Sequence, residues 1–90
     1  MCTASEEMVI SNSLGMHLRP AQLFVQTVLK FKCDVFIHKD GNRINAKSIM
    51  GLLTLAAAQG TRILVKCRGE DAEQALTAVR NLIESGFGED

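Results

Sequence analysis

The 90 residues supply material for one small hydrophobic core and none for a second, so the chain reads as a single domain over 1–90. An apolar share of 47% against 22% charged excludes a disordered chain, and ten basic residues balanced by ten acidic ones give no overall attraction to nucleic acid or to an anionic membrane. No apolar run reaches the roughly 18 residues that a membrane helix needs. The polar, acidic residues 1–7 are unlike a signal peptide, so the expectation is a cytoplasmic protein without membrane insertion.

In chain order, residues 6–11 are short and rich in strand formers, and Asn12-Ser13-Leu14-Gly15 follows with turn chemistry. From Leu18 to Lys32 the apolar positions Ala21, Phe24, Val25, Val28 and Phe31 recur at helical spacing, with Pro20 in the first turn, where a missing N–H is tolerated. Residues 33–39 and 43–46 flank Asp40-Gly41-Asn42 as a hairpin. Ser48 caps a short apolar helix through Ile49, Leu52, Leu53, Leu55 and Ala56, which Gly60 terminates. Residues 61–68 form a strand with Ile63, Val65 and Cys67 on one face. Asp71 and Gln74 read as a capping box for a last helix with its stripe at Ala72, Ala75, Leu76, Val79, Leu82 and Ile83, ended by Gly86. The order is βαββαβα: an α+β, two-layer protein in which three helices cover one face of a four-stranded antiparallel sheet. Strand order does not follow from the pattern.

Cys2, Cys33 and Cys67 are odd in number and lack the spacings of a metal site, so the expectation is reduced thiols, with no disulfide, metal or other cofactor. Cys2 is the one expected at the surface.

The stretch Leu14-Gly15-Met16-His17-Leu18-Arg19-Pro20-Ala21 sets a histidine at the mouth of the first helix and an arginine two residues inside it. Unpaired N–H groups and the positive end of the macrodipole favour an anion there by about 0.3–1 kcal/mol, and Arg19 adds a planar donor fork. Neutral imidazole is nucleophilic near neutral pH, and the environment of one ring nitrogen decides which of the two reacts. Position alone equally fits a polar loop residue or a helix cap. His38, inside a strand without a sequence-near partner, is given no role. Ser48, behind Lys47, reads first as a plain N-cap; a phosphate there would add a charge near −2 and change docking by repulsion without unfolding the domain. Leu18, Ile49, Met50 and Leu53 divide between core and an exposed docking patch next to the reactive residue, where flexible Met50 would accept several partners.

These residues resemble the HPr phosphocarriers of the bacterial phosphotransferase system. The stretch 14–21 is similar to the family's active-site signature, and Ala46-Lys47-Ser48-Ile49-Met50-Gly51-Leu52 to its regulatory-serine signature. The likeness continues through Gly60, Gly69-Glu70-Asp71 and Glu84-Ser85-Gly86-Phe87-Gly88-Glu89, and covers about residues 6–89. It implies an HPr-like open-faced β-sandwich. It also implies that His17 takes phosphate at Nδ1 from phosphorylated Enzyme I, charged by phosphoenolpyruvate, and passes it to an EIIA component, with Arg19 balancing the phosphate charge. Ser48 would be a target of the HPr kinase/phosphorylase, and Leu18, Lys47, Ile49, Met50 and Leu53 docking elements. The implied partners are proteins. The residues themselves, one reactive imidazole with no paired general base in a short chain, read as a phosphoryl-transfer intermediate and not a stand-alone enzyme, and of the oligomeric states left open a monomer is favoured. The presence of His17 argues against the catabolite-repression paralogues that lack this histidine. Leu18 replaces the small residue commonly found at that place, and the Gly15-Met16-His17 wording and Gly-Phe-Gly-Glu-Asp tail are similar to the nitrogen-related NPr branch. An NPr-like regulatory carrier therefore stands beside the sugar-pathway reading, toward which Lys47-Ser48 leans, and because α+β sheets of this size host many functions a binding module without transfer chemistry is a further alternative. An RNA-binding module is disfavoured by the absence of an aromatic stacking set and of a visible basic stripe.

Overall fold

A computed structural model describes residues 2–55 and 57–89. The elements are β1 (Thr3–Val9), α1 (Leu18–Val28), β2 (Asp34–Lys39), β3 (Asn42–Asn45), α2 (Ile49–Thr54), β4 (Arg62–Arg68) and α3 (Ala72–Glu84), followed by a tight turn at Gly86–Gly88. The sheet order is β1-β4-β2-β3, antiparallel throughout. Because β4 lies between β1 and β2, those two strands run parallel to each other without touching, and α1 is the crossover that parallel strands require.

Alternation along the strands separates the two faces. In β4, Ile63, Val65 and Cys67 are buried while Arg62, Lys66 and Arg68 are exposed. Register brings Ile63 opposite Met8, and Val65 and Cys67 opposite Ile37 and Val35, so the inward residues stack into one apolar floor. Phe24, Val25 and Val28 from α1, Leu52 from α2, and Ala75, Val79 and Ile83 from α3 close over that floor. Each fully buried aliphatic or aromatic side chain contributes about 1.5–3 kcal/mol. An Arg80–Glu6 fork, with Nε at 3.0 and 3.1 Å from the two carboxylate oxygens, ties α3 to β1. The other face of the sheet is open, and there the Arg43 guanidinium lies 4.6 Å from the centre of the Phe36 ring.

Several sequence expectations change in detail. β1 starts at Thr3 and ends at Val9 because its pairing with β4 runs the full length of Thr3–Arg68 to Val9–Arg62. The first helix stops at Val28, and Phe31 packs against the core from the loop beyond. The short helix ends at Thr54 with a right-handed cap at Leu55, so Gly60 turns the chain into β4 and does not terminate α2. Ala56, expected within that helix, lies outside the described residues. Asp71 precedes α3 but makes no capping bond with its side chain. Its carboxylate accepts instead from the Lys32 and Cys33 amides at 2.8 and 2.9 Å, tying the start of α3 to the entry of β2. Those amides hold its pKa below the ordinary carboxylate value. The outward row of Arg62, Lys66 and Arg68 on β4 is a basic stripe that the sequence reading did not anticipate. It is partly balanced by Glu7, 3.9 Å from Arg62, and by Asp34 opposite Arg68.

Cys2 is exposed, and Cys33 and Cys67 are free thiols inside the core. Burial pushes Cys33 up to about 11 and Cys67 up to about 12, which keeps both protonated and unreactive at neutral pH. No helix is long and apolar enough to cross a membrane among the described residues.

Candidate functional site

The loop between β1 and α1 is shaped by close backbone approach. Gly15 has φ +68°, and a Cβ placed on it would come 2.4 Å from the Ala57 carbonyl oxygen, so only glycine fits. The neighbouring Met16 amide donates to that same oxygen at 2.8 Å, and the Gly15 amide donates to the Asn12 carbonyl at 3.1 Å. This anchoring delivers His17 to the N-cap position of α1 in extended conformation, without a capping bond from its side chain. The Ala21 amide is paired with the His17 carbonyl and Pro20 has no N–H, which leaves the Leu18 and Arg19 amides as the outward donors of the helix mouth. Arg19 is exposed beside them.

The His17 side chain is 39% exposed, and its Nε2 lies 3.1 Å from each oxygen of the Glu89 carboxylate. Glu89 is 72 residues away in sequence and arrives through the turn after α3. Gly86, Phe87 and Gly88 all have positive φ, at 64°, 56° and 72°, which folds the chain back on itself. For Phe87 that conformation costs about 1–2 kcal/mol, and burial of its ring to 1% exposure offsets the strain. The two glycines flanking it take up the same hand freely.

Asn12 joins the two chain segments. It is fully buried, and its Nδ2 donates to the Gly15 carbonyl at 2.7 Å and to Glu89 Oε1 at 2.8 Å. Its Oδ1 is buried with no partner among the described residues. Turning the amide over would aim Oδ1 at two acceptors, so the observed orientation is dictated. The result is a relay from buried amide to carboxylate to imidazole. His17 Nδ1 is engaged by no hydrogen bond among the described residues.

Ser48 is the N-cap of α2, its Oγ accepting from the Gly51 amide at 3.1 Å. Lys47 is half-buried and donates through Nζ to the Phe31 carbonyl at 3.2 Å, which ties α2 to the loop after α1. Ile49 and Leu53 are partly buried against the core, whereas Met50 and Leu18 are 72% and 53% exposed, as is Leu14 at 74%. The exposed apolar side chains are thus Leu14 and Leu18, on either side of His17 in the chain, and Met50 on α2, and Leu14 is an addition to the sequence-derived set. His38 sits across from Arg43 in the β2–β3 hairpin; burial first, then Lys66 and Arg43, lowers its pKa. A surface depression formed by Lys39, Asn42, Arg43, Thr54 and Leu55 contains neither His17 nor Ser48. No group of His, Cys, Asp or Glu is arranged to hold a metal ion among the described residues.

Sequence reasoning missed Asn12 and Glu89. The Gly-Phe-Gly run was the available signal, since an apolar residue between two glycines marks an anchored reversal. Its destination depends on tertiary packing.

Fold and site define a small α+β protein that presents one carboxylate-held imidazole at a helix mouth. The family profile described as PTS HPr component phosphorylation site matches residues 4–85. The chain is 44% identical over 84 residues to the phosphocarrier protein HPr of Xylella fastidiosa strain 9a5c, covering 93% of this chain and 94% of that one. The crystal structure of an HPr from Thermoanaerobacter tengcongensis superposes with a TM-score of 0.93 at 44% identity, over 97% of this chain and 98% of that one. Crh, the catabolite-repression protein of Bacillus subtilis, was crystallised as a domain-swapped dimer and matches with a TM-score of 0.71 at 39% identity, over 94% of this chain and 93% of that one. The chain belongs to the HPr phosphocarrier family of the phosphotransferase system.

Proposed function

We propose that the chain, acting as one domain over 1–90, takes a phosphoryl group on His17 Nδ1 from phosphorylated Enzyme I and passes it to an EIIA component in the cytoplasm. The observation that carries this reading is the half-exposed His17 imidazole at the mouth of α1, with Nδ1 unengaged among the described residues and Arg19 exposed beside it. As the Nδ1 lone pair bonds to phosphorus, the donor's bond to phosphorus breaks and its electron pair stays with the donor. The phosphoryl oxygens then lie near the Leu18 and Arg19 amides and the Arg19 guanidinium, which hold developing negative charge. The return step reverses this order, so the protein is an intermediate and not a stand-alone enzyme. A monomer serves the role, since one accessible imidazole suffices for each encounter.

Docking falls to Leu18 and Met50, exposed on the two helices, with Ile49, Leu53 and Lys47 supporting them from half-buried positions. Ser48 is the target of regulatory phosphorylation by the HPr kinase/phosphorylase: a dianion at the start of α2 adds like charge where an acidic partner surface would dock. The test is a two-stage transfer assay. The isolated phospho-form, mixed with EIIA, loses its phosphate to EIIA, and Ser48→Asp slows charging by Enzyme I about tenfold. Retention of phosphate in the presence of an EIIA active with another carrier contradicts the carrier assignment, and unchanged charging of Ser48→Asp contradicts the regulatory one.

A further inference from the structure

We infer that Glu89 is a positioning residue for phosphoryl transfer: its carboxylate, held by Asn12, keeps the proton of His17 on Nε2 in both the uncharged and the charged protein. The inference rests on the carrier reading for its kinetic consequence but not for its geometry.

Both Glu89 oxygens lie 3.1 Å from Nε2, and an ionised carboxylate is an acceptor only, so the ring nitrogen facing it must be the N–H. Nδ1 is then the nitrogen with the lone pair. In a free histidine side chain the two neutral tautomers compete, and the one protonated at Nδ1 has no lone pair there to offer phosphorus. Glu89 removes that unproductive form. The carboxylate does not wander, because Asn12 Nδ2 grips Oε1 at 2.8 Å from a fully buried position and the 86–88 turn is pinned by buried Phe87. Its side chain is only 16% exposed, which limits screening of the pair.

The same contact acts on donation. Once Nδ1 carries phosphorus and Nε2 keeps its proton, the ring bears a positive charge that Glu89 faces. When an acceptor attacks, the P–N bond breaks, its electron pair returns to Nδ1, and the leaving group is neutral imidazole with the proton still on Nε2. No proton has to move during the step. Without Glu89, loss of the Nε2 proton would leave imidazolate as the leaving group, which departs far less readily. The carboxylate therefore raises the nucleophile and preserves the leaving group through one hydrogen bond.

The test uses the full chain with Glu89→Ala and Glu89→Gln. Nitrogen-15 shifts of the His17 ring, measured in the uncharged protein at alkaline pH, report the tautomer directly. Wild type is expected as the Nε2–H form and Glu89→Ala as a mixture. Glu89→Gln regains the Nε2–H form, because its carbonyl oxygen still accepts. Single-turnover donation to EIIA is expected to slow about tenfold in Glu89→Ala, and partly to recover in Glu89→Gln. Amide spectra of the three proteins check that the fold is common to them. A tautomer ratio in Glu89→Ala equal to that of wild type overturns the inference, as does unchanged donation by charged Glu89→Ala. Failure of wild type to charge at all contradicts the carrier reading instead, and the nitrogen shifts still decide the role of Glu89.

Discussion

At the residue scale, a buried amide holds the carboxylate that faces the histidine. Asn12 offers two N–H donors to two acceptors, the Gly15 carbonyl in the loop and the Glu89 carboxylate that faces His17. Asn12→Asp replaces those donors with oxygens. It is expected to destabilise the fold by about 1–3 kcal/mol, as an unsatisfied buried group does, and to loosen Glu89 from His17. Denaturant unfolding reads the first effect and the His17 ring shifts the second; a variant as stable as wild type with an unchanged ring contradicts the relay. Nothing in Asn12-Ser13-Leu14-Gly15 distinguishes this asparagine from an ordinary turn residue, since the carboxylate it holds lies 77 residues further on. His17, by contrast, was legible from its place before Leu18-Arg19-Pro20, because helix starts are encoded locally. Ser48 was legible for the same reason, and its Oγ does accept from the Gly51 amide.

At the element scale, the periodic stripes of α1, α3 and β4 placed the core, since a helix or strand has only one way to turn such a stripe inward. The ends were harder to read. Asp71 and Gln74 had the spacing of a capping box, yet the carboxylate serves the Lys32 and Cys33 amides of another segment, a partner that spacing cannot announce. Gly60 was legible as a turn residue but not as the turn before β4, because Leu55 already ends α2 in right-handed conformation. The Asp71 bridge has a pH consequence. A carboxyl whose pKa is lowered by folding stabilises the native state above its unfolded value of about 3.8. That contribution is lost as pH falls from there through the lowered native value. Wild type should therefore lose thermal stability in this acid window more steeply than Asp71→Asn, which lacks the ionising group. Parallel melting curves for the two proteins across the window would show Asp71 to be without this role.

At the scale of the whole molecule, three helices lie on one side of the sheet, and His17 stands at the end where α1 begins. The chain reverses there at Gly86–Gly88 and sets Glu89 against the ring. A carrier must be met by an enzyme that charges it and by another that discharges it. A half-exposed imidazole flanked by exposed Leu14 and Leu18, with Met50 on the neighbouring helix, suits shallow docking better than a closed pocket. The fold class, the element order and the place of His17 at the mouth of α1 were legible because they rest on local periodicity and on helix-start chemistry. The strand order and the tail's return were not, because both depend on contacts between distant segments. The role proposed for His17 is to carry the phosphoryl group. The most direct measurement is intact mass after incubation with Enzyme I and phosphoenolpyruvate, before and after acid treatment. A His17 carrier gains one phosphate, lost in acid and absent from a folded His17→Ala variant. An acid-stable gain, a gain that persists in His17→Ala, or no gain with an Enzyme I active on another carrier would contradict it.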